Sequence, residues 1–481
     1  MQFAQLSVFF VNESILCFHP ILPKFRMCRC KLKFVYILFC RVSTFNIVAI
    51  FTKIKIICVS LVLPTLHLTK NMNYRFLKIS SYYRDFLSSY YAQYPDVAEL
   101  NYVGQYSHLM EQYFAWSDNY GRLLAQKGFE TMEVIANAAS MQKAWAKENG
   151  FPDNLSSEET VIKQIAVFKP EIIYFQDVIT FNGAFINKIK SSFPFIKLCI
   201  GNICSPFSSE QIEGFKVFDY FTVCSPFFQR QLSNFNIISI VIPHAFDRRI
   251  LEKLNDNNIY PETTFMFTGS IIPDEGFHNI RLNVLEELVK EDLPFVFYGN
   301  LPDKSLIKLW KRQASFVASK FLDGIGLKKV TDTIPLIRKG RSLMSLPRNM
   351  KISDKLYNMA YEPVFGLEMF KAMSKSKIGF NIHGDCAGDY AANMRLFETT
   401  GIGTCLLTDE KSDLHNYFEI DKEVVAYSSA DECVEKVKWL INNPAKCSEI
   451  AINGQTKTLN EHHFESRVQM FYDFLIRKLL K

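Results

Sequence analysis

The chain has 481 residues, of which 48% are hydrophobic, 14% aromatic and 22% charged, a composition that excludes a disordered protein. Its length exceeds what one hydrophobic core usually organises, so we expect two or three domains. The net charge of +6 does not indicate a nucleic-acid partner, because residues 1–71 hold nine basic side chains and one acid. The other 410 residues hold 46 basic and 48 acidic side chains and are nearly neutral.

Residues 1–71 are apolar and basic, without a helical or strand period. Three interpretations are open: an interfacial membrane anchor, a targeting segment, or residues that do not belong to the natural product. No charge-free run reaches the roughly 18 residues of a membrane helix, and no convincing cleavage site is present. Because Met72 is followed at once by an apolar strand pattern, we favour the third interpretation, with translation beginning at Met72. Residues 1–71 are thus expected to be a non-native or disordered extension.

From residue 72 onward, short apolar runs alternate with amphipathic stretches, which predicts βα units and a parallel sheet. In chain order, the first series of strands is expected at 76–79, 130–136, 171–177, 197–201, 219–224 and 237–242. Helices are expected between them at 106–128, 138–149, 157–168, 182–192 and 225–235.

A second series begins near residue 263, after a linker at 244–262. Its strands are expected at 265–270, 295–298, 378–383 and 404–409, and its helices at 278–290, 366–375, 391–400, 430–442 and 446–475. Residues 301–345 look polar and irregular. The fold class is therefore α/β, with two Rossmann-like doubly wound domains at 72–250 and 251–460 and a C-terminal helix at 461–481.

The stretch 381–409 carries the strongest chemical signal. Arg395 and Glu398 are three residues apart and share one helix face, and Asn393 precedes them. A nucleotide sugar needs cations and backbone N–H groups for its diphosphate, and a carboxylate for its ribose diol. Spacing alone favours an ordinary surface ion pair over such a site.

Other candidate residues lie at predicted strand ends. His383, followed by Gly384, lies in the expected ligand cleft and is equally compatible with a functional role, in phosphate stabilisation or acid/base chemistry, and with a structural hydrogen bond to the next loop. Asp177 has the position of a general base on an acceptor, but such a residue more often caps the next helix. Arg281 has the reach to contact phosphate or to form a surface pair with a nearby glutamate.

Several signals point away from metal and cofactor chemistry. The seven cysteines after residue 71 form no CxxC, which favours reduced core cysteines in the cytoplasm. His462 and His463 lack partners at metal-ligand spacing, and the chain has no DxD, P-loop, GxSxG or GxGxxG motif. We therefore expect no metal and no cofactor.

The segment "VFGLEMFKAMSKSKIGFNIHGDCAGDYAANMRLFETTGIGTCLLTDE" resembles the CgeB-like, spore-maturation-type glycosyltransferases, which are group-1 enzymes of GT-B fold. The resemblance extends upstream through "FDYFTVCSPFF", "IPHAF" and "FTGS" and downstream to "HHFESR", and is weakest over 301–345. It implies that Glu398 holds the donor ribose and that Gly269 and Ser270 lie beside the donor phosphates. Tyr390 stands where many group-1 enzymes have a second glutamate, so the two-carboxylate motif is absent.

The resemblance implies a cytoplasmic enzyme that moves a sugar from a nucleotide sugar to a hydroxyl acceptor, in synthesis of cell-surface polysaccharide or glycoconjugate. Its partners are then the donor and a sugar or glycoconjugate acceptor, with no nucleic acid. A peripheral membrane contact stays open, although no strong amphipathic basic helix is evident after residue 71. The alternative is a catalytically inactive GT-B scaffold or sugar-binding protein of a surface or coat layer, and a GT-B epimerase is a weaker option.

Overall fold

The protein is described by a computed structural model that covers residues 7–11, 14–18, 74–254, 260, 262–271, 279–302, 304–341, 343, 346–349, 351–383 and 386–480. Contacts divide the chain into one unit at Met1–Lys70 and another at Asn71–Lys481. In the first unit, strands β1 (Ser7–Val11) and β2 (Ser14–Phe18) pair antiparallel. The interpretation of residues 1–71 as a non-native extension falls largely outside the described residues and stays a prediction.

Six parallel strands form the first sheet of the second unit, in the order β4-β3-β5-β6-β7-β8. The central strands are buried along nearly their whole length, because helices cover both faces of the sheet. The strands are β3 (Arg75–Ser80), β4 (Glu130–Ile135), β5 (Ile172–Phe175), β6 (Leu198–Ile203), β7 (Tyr220–Val223) and β8 (Ser239–Val241).

A second sheet of six parallel strands follows, in the order β11-β10-β9-β12-β13-β14. Its strands are β9 (Thr263–Thr268), β10 (Phe295–Tyr298), β11 (Ala360–Tyr361), β12 (Ser376–Asn381), β13 (Cys405–Asp409) and β14 (Val425–Tyr427). Two parallel, helix-covered sheets in one chain are the GT-B architecture, so the expected fold class is confirmed.

The helices around the first sheet agree with the sequence prediction in most places. The helix predicted at 157–168 is observed with those bounds, because Ser156 and Glu159 form a capping box and Lys169 ends the helix in a left-handed conformation. The helices around this sheet are α1 (Arg84–Gln93), α2 (Tyr102–Met110), α3 (Asn119–Ala125), α4 (Ala139–Glu148), α5 (Ser157–Phe168), α6 (Gly183–Ser192), α7 (Ser209–Phe215) and α8 (Pro226–Ser233). The short helix α9 (Ile250–Lys253) follows and packs with residues of the second sheet.

Ten further helices complete the described chain after residue 278, and most of them cover the second sheet. They are α10 (Asn279–Lys290), α11 (Leu306–Gly324), α12 (Lys328–Thr333), α13 (Pro335–Arg341), α14 (Asp354–Met359), α15 (Gly366–Ser374), α16 (Arg395–Gly401), α17 (Ala430–Asn442), α18 (Pro444–Glu461) and α19 (Phe464–Leu479). None of the helices in the described part of the chain combines the length and the hydropathy needed to cross a bilayer.

The continuous helix predicted at 106–128 is wrong. Helix α2 ends at Met110 and helix α3 begins at Asn119. Between them, φ is 50° at Tyr113, 54° at Ala115 and 43° at Ser117. Residues with side chains adopt such left-handed backbone only where surrounding contacts hold it. Here the buried Lys78 Nζ donates to the Ser117 carbonyl at 2.7 Å.

Two further expectations are corrected. The stretch 301–345 is not irregular but carries α11, α12 and α13. The single helix expected at 446–475 is two helices, since the chain breaks between α18 and α19, where the His463 side chain accepts a hydrogen bond from the Ser466 backbone N–H.

The C-terminal helix α19 packs on the first sheet. Phe471 contacts the rings of Phe76, Tyr120 and Tyr174 in one aromatic core. The chain therefore crosses between the two sheets twice, first in the crossing segment around Phe246 and again at residues 462–464. These two stretches pair with each other: Phe246 N donates to His462 O at 2.9 Å, and Phe464 N donates to Phe246 O at 3.2 Å. The division at 250 and 460 stays a prediction.

Candidate functional site

The site lies where the strand order of the second sheet reverses. From β9 the chain moves outward to β10 and β11, then returns to place β12 on the other side of β9. Ligands of doubly wound sheets bind at the carboxyl ends of the strands that flank such a switch point. Gly269 and Ser270 directly follow β9, and His383 lies two residues after β12. The structure therefore brings three sequence-predicted site residues to one place.

Two guanidinium groups flank the Gly269–Ser270 turn. Arg395 Nε donates to Thr268 Oγ1 at 2.9 Å, and Arg281 Nη1 donates to the Ser270 carbonyl at 3.2 Å. Arg281 Nε also donates to the Ile382 carbonyl at 3.1 Å, which fixes this side chain between the ends of both strands. Burial lowers the pKa of Arg281, and the positive charge of Arg395 nearby acts in the same direction. Two neighbouring cations of this kind favour a polyanionic ligand.

The Arg395–Glu398 pair is less exposed than a surface ion pair. Both residues lie in the first turn of α16, and Arg395 Nη1 hydrogen-bonds to Glu398 Oε2. Glu398 is only 5% exposed. Asn393 Oδ1 accepts from Arg395 N at 3.1 Å, while its Nδ2 donates to Asn381 Oδ1 at 2.8 Å, so Asn393 ties the helix start to the end of β12. The carboxylate is held near the helix N-terminus, as a residue that accepts hydrogen bonds from a ligand would be.

His383 is oriented by a carboxylate. Its Nδ1 lies 2.7 Å from Asp409 Oδ1 at the end of β13, and its backbone N–H donates to the same oxygen at 2.8 Å. Burial raises the pKa of Asp409, but the His383 ring, its hydrogen bonds and Lys411 together hold that pKa below its usual range. His383 Nε2 is buried and has no hydrogen-bond partner among the described residues. A carboxylate on one ring nitrogen and an unused second nitrogen suit proton transfer or phosphate stabilisation.

Asp177 has a local structural contact. It follows β5, and its Oδ1 accepts from the backbone N–H groups of Ile179 at 3.1 Å and Thr180 at 2.9 Å. These bonds stabilise the turn that leads towards α6. Gly384 lies outside the described residues. The functional roles of Asp177, Gly384 and the other predicted site residues stay predictions.

Sequence reasoning missed the part of the site that comes from the first half of the second unit, the half that carries the first sheet. Glu398 lines a cavity together with Tyr113, Ser117 and Asn119 from the segment after α2, and with Asp247 from the crossing segment. Asn119 Nδ2 donates to Asp247 Oδ2 at 2.9 Å, and Arg249 Nη2 contacts the same oxygen at 2.6 Å. The left-handed segment 113–117 thus forms a wall of the cavity.

A buried ion pair supports this wall. Lys78 Nζ lies 2.9 Å from Glu133 Oε2 on neighbouring strands β3 and β4, and both side chains are almost fully buried. Glu133 Oε1 accepts from Gly121 N at 2.7 Å. The one available signal in the sequence was a lysine and a glutamate inside otherwise apolar strands.

Residues 350–473 match a family model described as "Glycosyl transferase-like". These residues form a glycosyl transferase-like domain. The match includes His383, Asn393, Arg395, Glu398 and Asp409, and it confirms the glycosyltransferase class expected from the sequence.

Solved structures with a similar fold include three bacterial proteins. A glycosyltransferase from Rickettsia africae is 10% identical with a TM-score of 0.49, over 85% of this chain and 99% of that chain. Sucrose-phosphate synthase from Thermosynechococcus elongatus is 10% identical with a TM-score of 0.47, over 85% and 99%. Anabaena HepE in complex with UDP-glucose is 11% identical with a TM-score of 0.46, over 84% and 99%. No sequence among the curated proteins matches the chain.

Proposed function

We propose that this glycosyltransferase is CgeB-like and transfers a sugar from a nucleotide-sugar donor to a hydroxyl of a sugar or glycoconjugate, in cytoplasmic synthesis of cell-surface material. The observation that carries the proposal is the convergence of Arg281, Arg395 and the buried Glu398 at the switch point of the second sheet. Two cations and one carboxylate at this place match the charges of a nucleoside diphosphate and the hydroxyls of its ribose.

In the proposed complex, the diphosphate lies against the Gly269–Ser270 turn between the two guanidinium groups. Glu398 exchanges part of its contact with Arg395 for the two ribose hydroxyls, and this exchange releases Arg395 towards phosphate. The acceptor binds to the first half, across the cavity lined by Tyr113 and Asn119. The donor thereby replaces an internal ion pair with charge-matched contacts of its own.

The reaction breaks the bond between the anomeric carbon and the diphosphate oxygen and forms a bond from that carbon to the acceptor oxygen. The hydroxyl proton leaves the acceptor, and negative charge develops on the departing diphosphate. Arg281 and Arg395 stabilise that charge electrostatically. His383, held by Asp409, donates a hydrogen bond or a proton to the leaving phosphate when its ring is protonated. Asp177 is a second proposed catalytic residue, as the base for the acceptor hydroxyl.

One observation favours the alternative of an inactive GT-B scaffold. Tyr390, at the position of the second family glutamate, lies against Arg230, whose guanidinium carbon is 4.6 Å from the ring centroid. A residue of the second half at this position therefore contributes to packing against the first half. The scaffold hypothesis does not explain why Glu398 is kept buried beside a cation.

The test uses the full chain and a panel of nucleoside diphosphates and nucleotide sugars. A ligand at a hundred times its Kd stabilises the folded state by about 2.7 kcal/mol, which is a clear rise in melting temperature. A shift with one base, together with hydrolysis or transfer of its sugar, supports the enzyme. A shift without turnover on any acceptor supports the scaffold, and no shift in folded protein contradicts the proposed donor site.

A further inference from the structure

Three side chains with metal-binding atoms meet at the carboxyl end of the first sheet, apart from the proposed donor site. Cys204 and Cys224 directly follow the strands β6 and β7, and His244 follows β8. Ile203 and Val223 are paired residues of the two parallel strands, so the cysteines after them lie side by side. The two sulfur atoms and a ring nitrogen of His244 all lie within 4.8 Å of one another.

The surroundings suit bound thiolates. The Asn202 amide lies beside the sulfur, with its Nδ2 and its Oδ1 both 3.7 Å from Cys204 Sγ, and Oδ1 also accepts from Thr222 Oγ1 at 3.0 Å. Buried polar atoms normally have partners, yet His244 Nδ1 and Ser225 Oγ are buried without a hydrogen bond to any described residue. The imidazole also hydrogen-bonds to Cys204, and a metal ion would replace that hydrogen bond with two metal–ligand bonds.

We propose that Cys204, Cys224 and His244 bind one zinc ion. Thiolate and imidazole ligands select zinc over magnesium or calcium, and a zinc ion with bonds of about 2.1–2.3 Å needs only small movements of these side chains. Binding displaces the two thiol protons and involves no change of oxidation state. The ion would join the ends of three strands and fix the segment after β8.

The segment after β8 also contributes to the cavity beside Glu398 described above. Two residues after His244, Phe246 pairs with the second chain passage, and Asp247 lines the cavity beside Glu398. A zinc ion at His244 would therefore hold the crossing segment against the first sheet. The inference is independent of which donor the enzyme uses.

The second half offers a matched control. Cys405 and Cys447 hydrogen-bond to each other, and no third metal-binding side chain joins them among the described residues. Variants Cys224→Ser and His244→Asn test the proposed site, and Cys447→Ala tests whether any close cysteine pair gives the same result.

The experiment measures metal content of the untagged full chain by mass spectrometry and cobalt(II) absorption after metal exchange. We expect about one zinc per chain, thiolate-to-cobalt charge transfer, and at least roughly tenfold less metal in both site variants but not in Cys447→Ala. In the unmutated protein, zinc removal should expose Cys204 and Cys224 to alkylation. Folded, zinc-free protein that takes up no cobalt, or a disulfide between Cys204 and Cys224, would overturn the proposal.

A second observation concerns the three-helix insertion α11–α13 (Leu306–Arg341). The expectation that no amphipathic basic helix follows residue 71 is wrong, because α11 exposes an apolar stripe. Trp310 is 67% exposed, Phe321 64% and Val317 58%, at spacings that put them on one helix face. Lys311 and Lys320 flank the stripe on its two sides.

The insertion is also strongly basic. Residues 306–341 hold nine basic and two acidic side chains, whereas residues 72–481 as a whole carry a slight negative excess. An exposed aromatic stripe bordered by lysines is the pattern of a helix that lies in the interface of an anionic bilayer. The geometry points to anionic lipid headgroups as the partner of this surface.

Vesicle flotation of the full chain tests this assignment. We expect binding to vesicles of phosphatidylcholine with phosphatidylglycerol, weaker binding at high salt, and roughly tenfold weaker binding of the double variant Trp310→Ser/Phe321→Ser. Trp439→Ser, at an exposed tryptophan on α17, is the control and should bind like the unmutated protein. Equal binding to pure phosphatidylcholine, or unchanged binding of the double variant, would overturn the assignment.

Discussion

Glu398→Gln is the change that separates ribose recognition from diphosphate recognition. The substitution keeps the size of the side chain but removes its charge from a position that is 5% exposed. A hydrogen bond to a charged group contributes about 1.5–3 kcal/mol and one between neutral groups about 0.5–1.5 kcal/mol. Each of the two ribose hydroxyl contacts is therefore weakened by about 1 kcal/mol.

The sum of about 2 kcal/mol corresponds to a rise of about thirtyfold in the Kd for a nucleoside diphosphate. Inorganic diphosphate lacks the ribose and should bind the variant at least as well as the unmutated protein. The reason is that Arg395 loses its intramolecular partner in the variant and becomes available to phosphate.

Titration calorimetry with both ligands measures the two effects. Glu368→Gln is the matched control, because Glu368 forms the same kind of i,i+3 pair with Lys371 on the neighbouring α15. Its affinities should not change. Equal loss of affinity for both ligands, or none for the nucleoside diphosphate, would refute the assignment of Glu398 to the ribose.

Three other changes test the site and its support. His383→Gln should lower kcat by about a hundredfold or more, with KM for the donor unchanged; unchanged kcat would remove His383 from the chemistry. Gly401→Ala places a Cβ 2.3 Å from a ring atom of Phe246 and should lower the free energy of unfolding, measured with urea, by about 1–3 kcal/mol. Gly324→Ala is the control, because its Cβ meets nothing within 4 Å, and it should not show this loss. Burial lowers the pKa of His462 to about 4, so the unfolded chain binds the proton more readily and stability should fall by about 3 kcal/mol from pH 7 to pH 4. Unfolding curves of His462→Gln should show a smaller loss over this pH range.

Local sequence signals located most strands and many helices of the second unit. The helix at 157–168 was predictable because its capping box and its apolar period lie within a dozen residues. The break at 111–118 was not predictable, because the left-handed backbone there depends on Lys78, 39 residues away, whose amine binds the Ser117 carbonyl. Long-range contacts of this kind leave no periodic mark in the sequence.

The candidate site likewise contains features that the local sequence predicts and features that depend on long-range contacts. The Arg395–Glu398 spacing was visible in the sequence, but its burial and the approach of Arg281 depend on the sheet order, which brings Ser270 and Ile382 together. Asp409 was placed in a strand without a role, since nothing local indicates that neighbouring strands pair it with His383. The cavity wall from Tyr113 to Asn119 depends on the mispredicted break and was therefore missed.

The return of α19 to the first sheet has a consequence for synthesis on the ribosome. The aromatic core around Phe76 and Tyr174 includes Phe471, which is translated after every strand of the second sheet. The first half therefore cannot complete its core until the second half has left the ribosome, although its own strands emerge first. We expect nascent chains stalled before residue 464 to hold the first half in a protease-sensitive form, and release of the full chain to protect it.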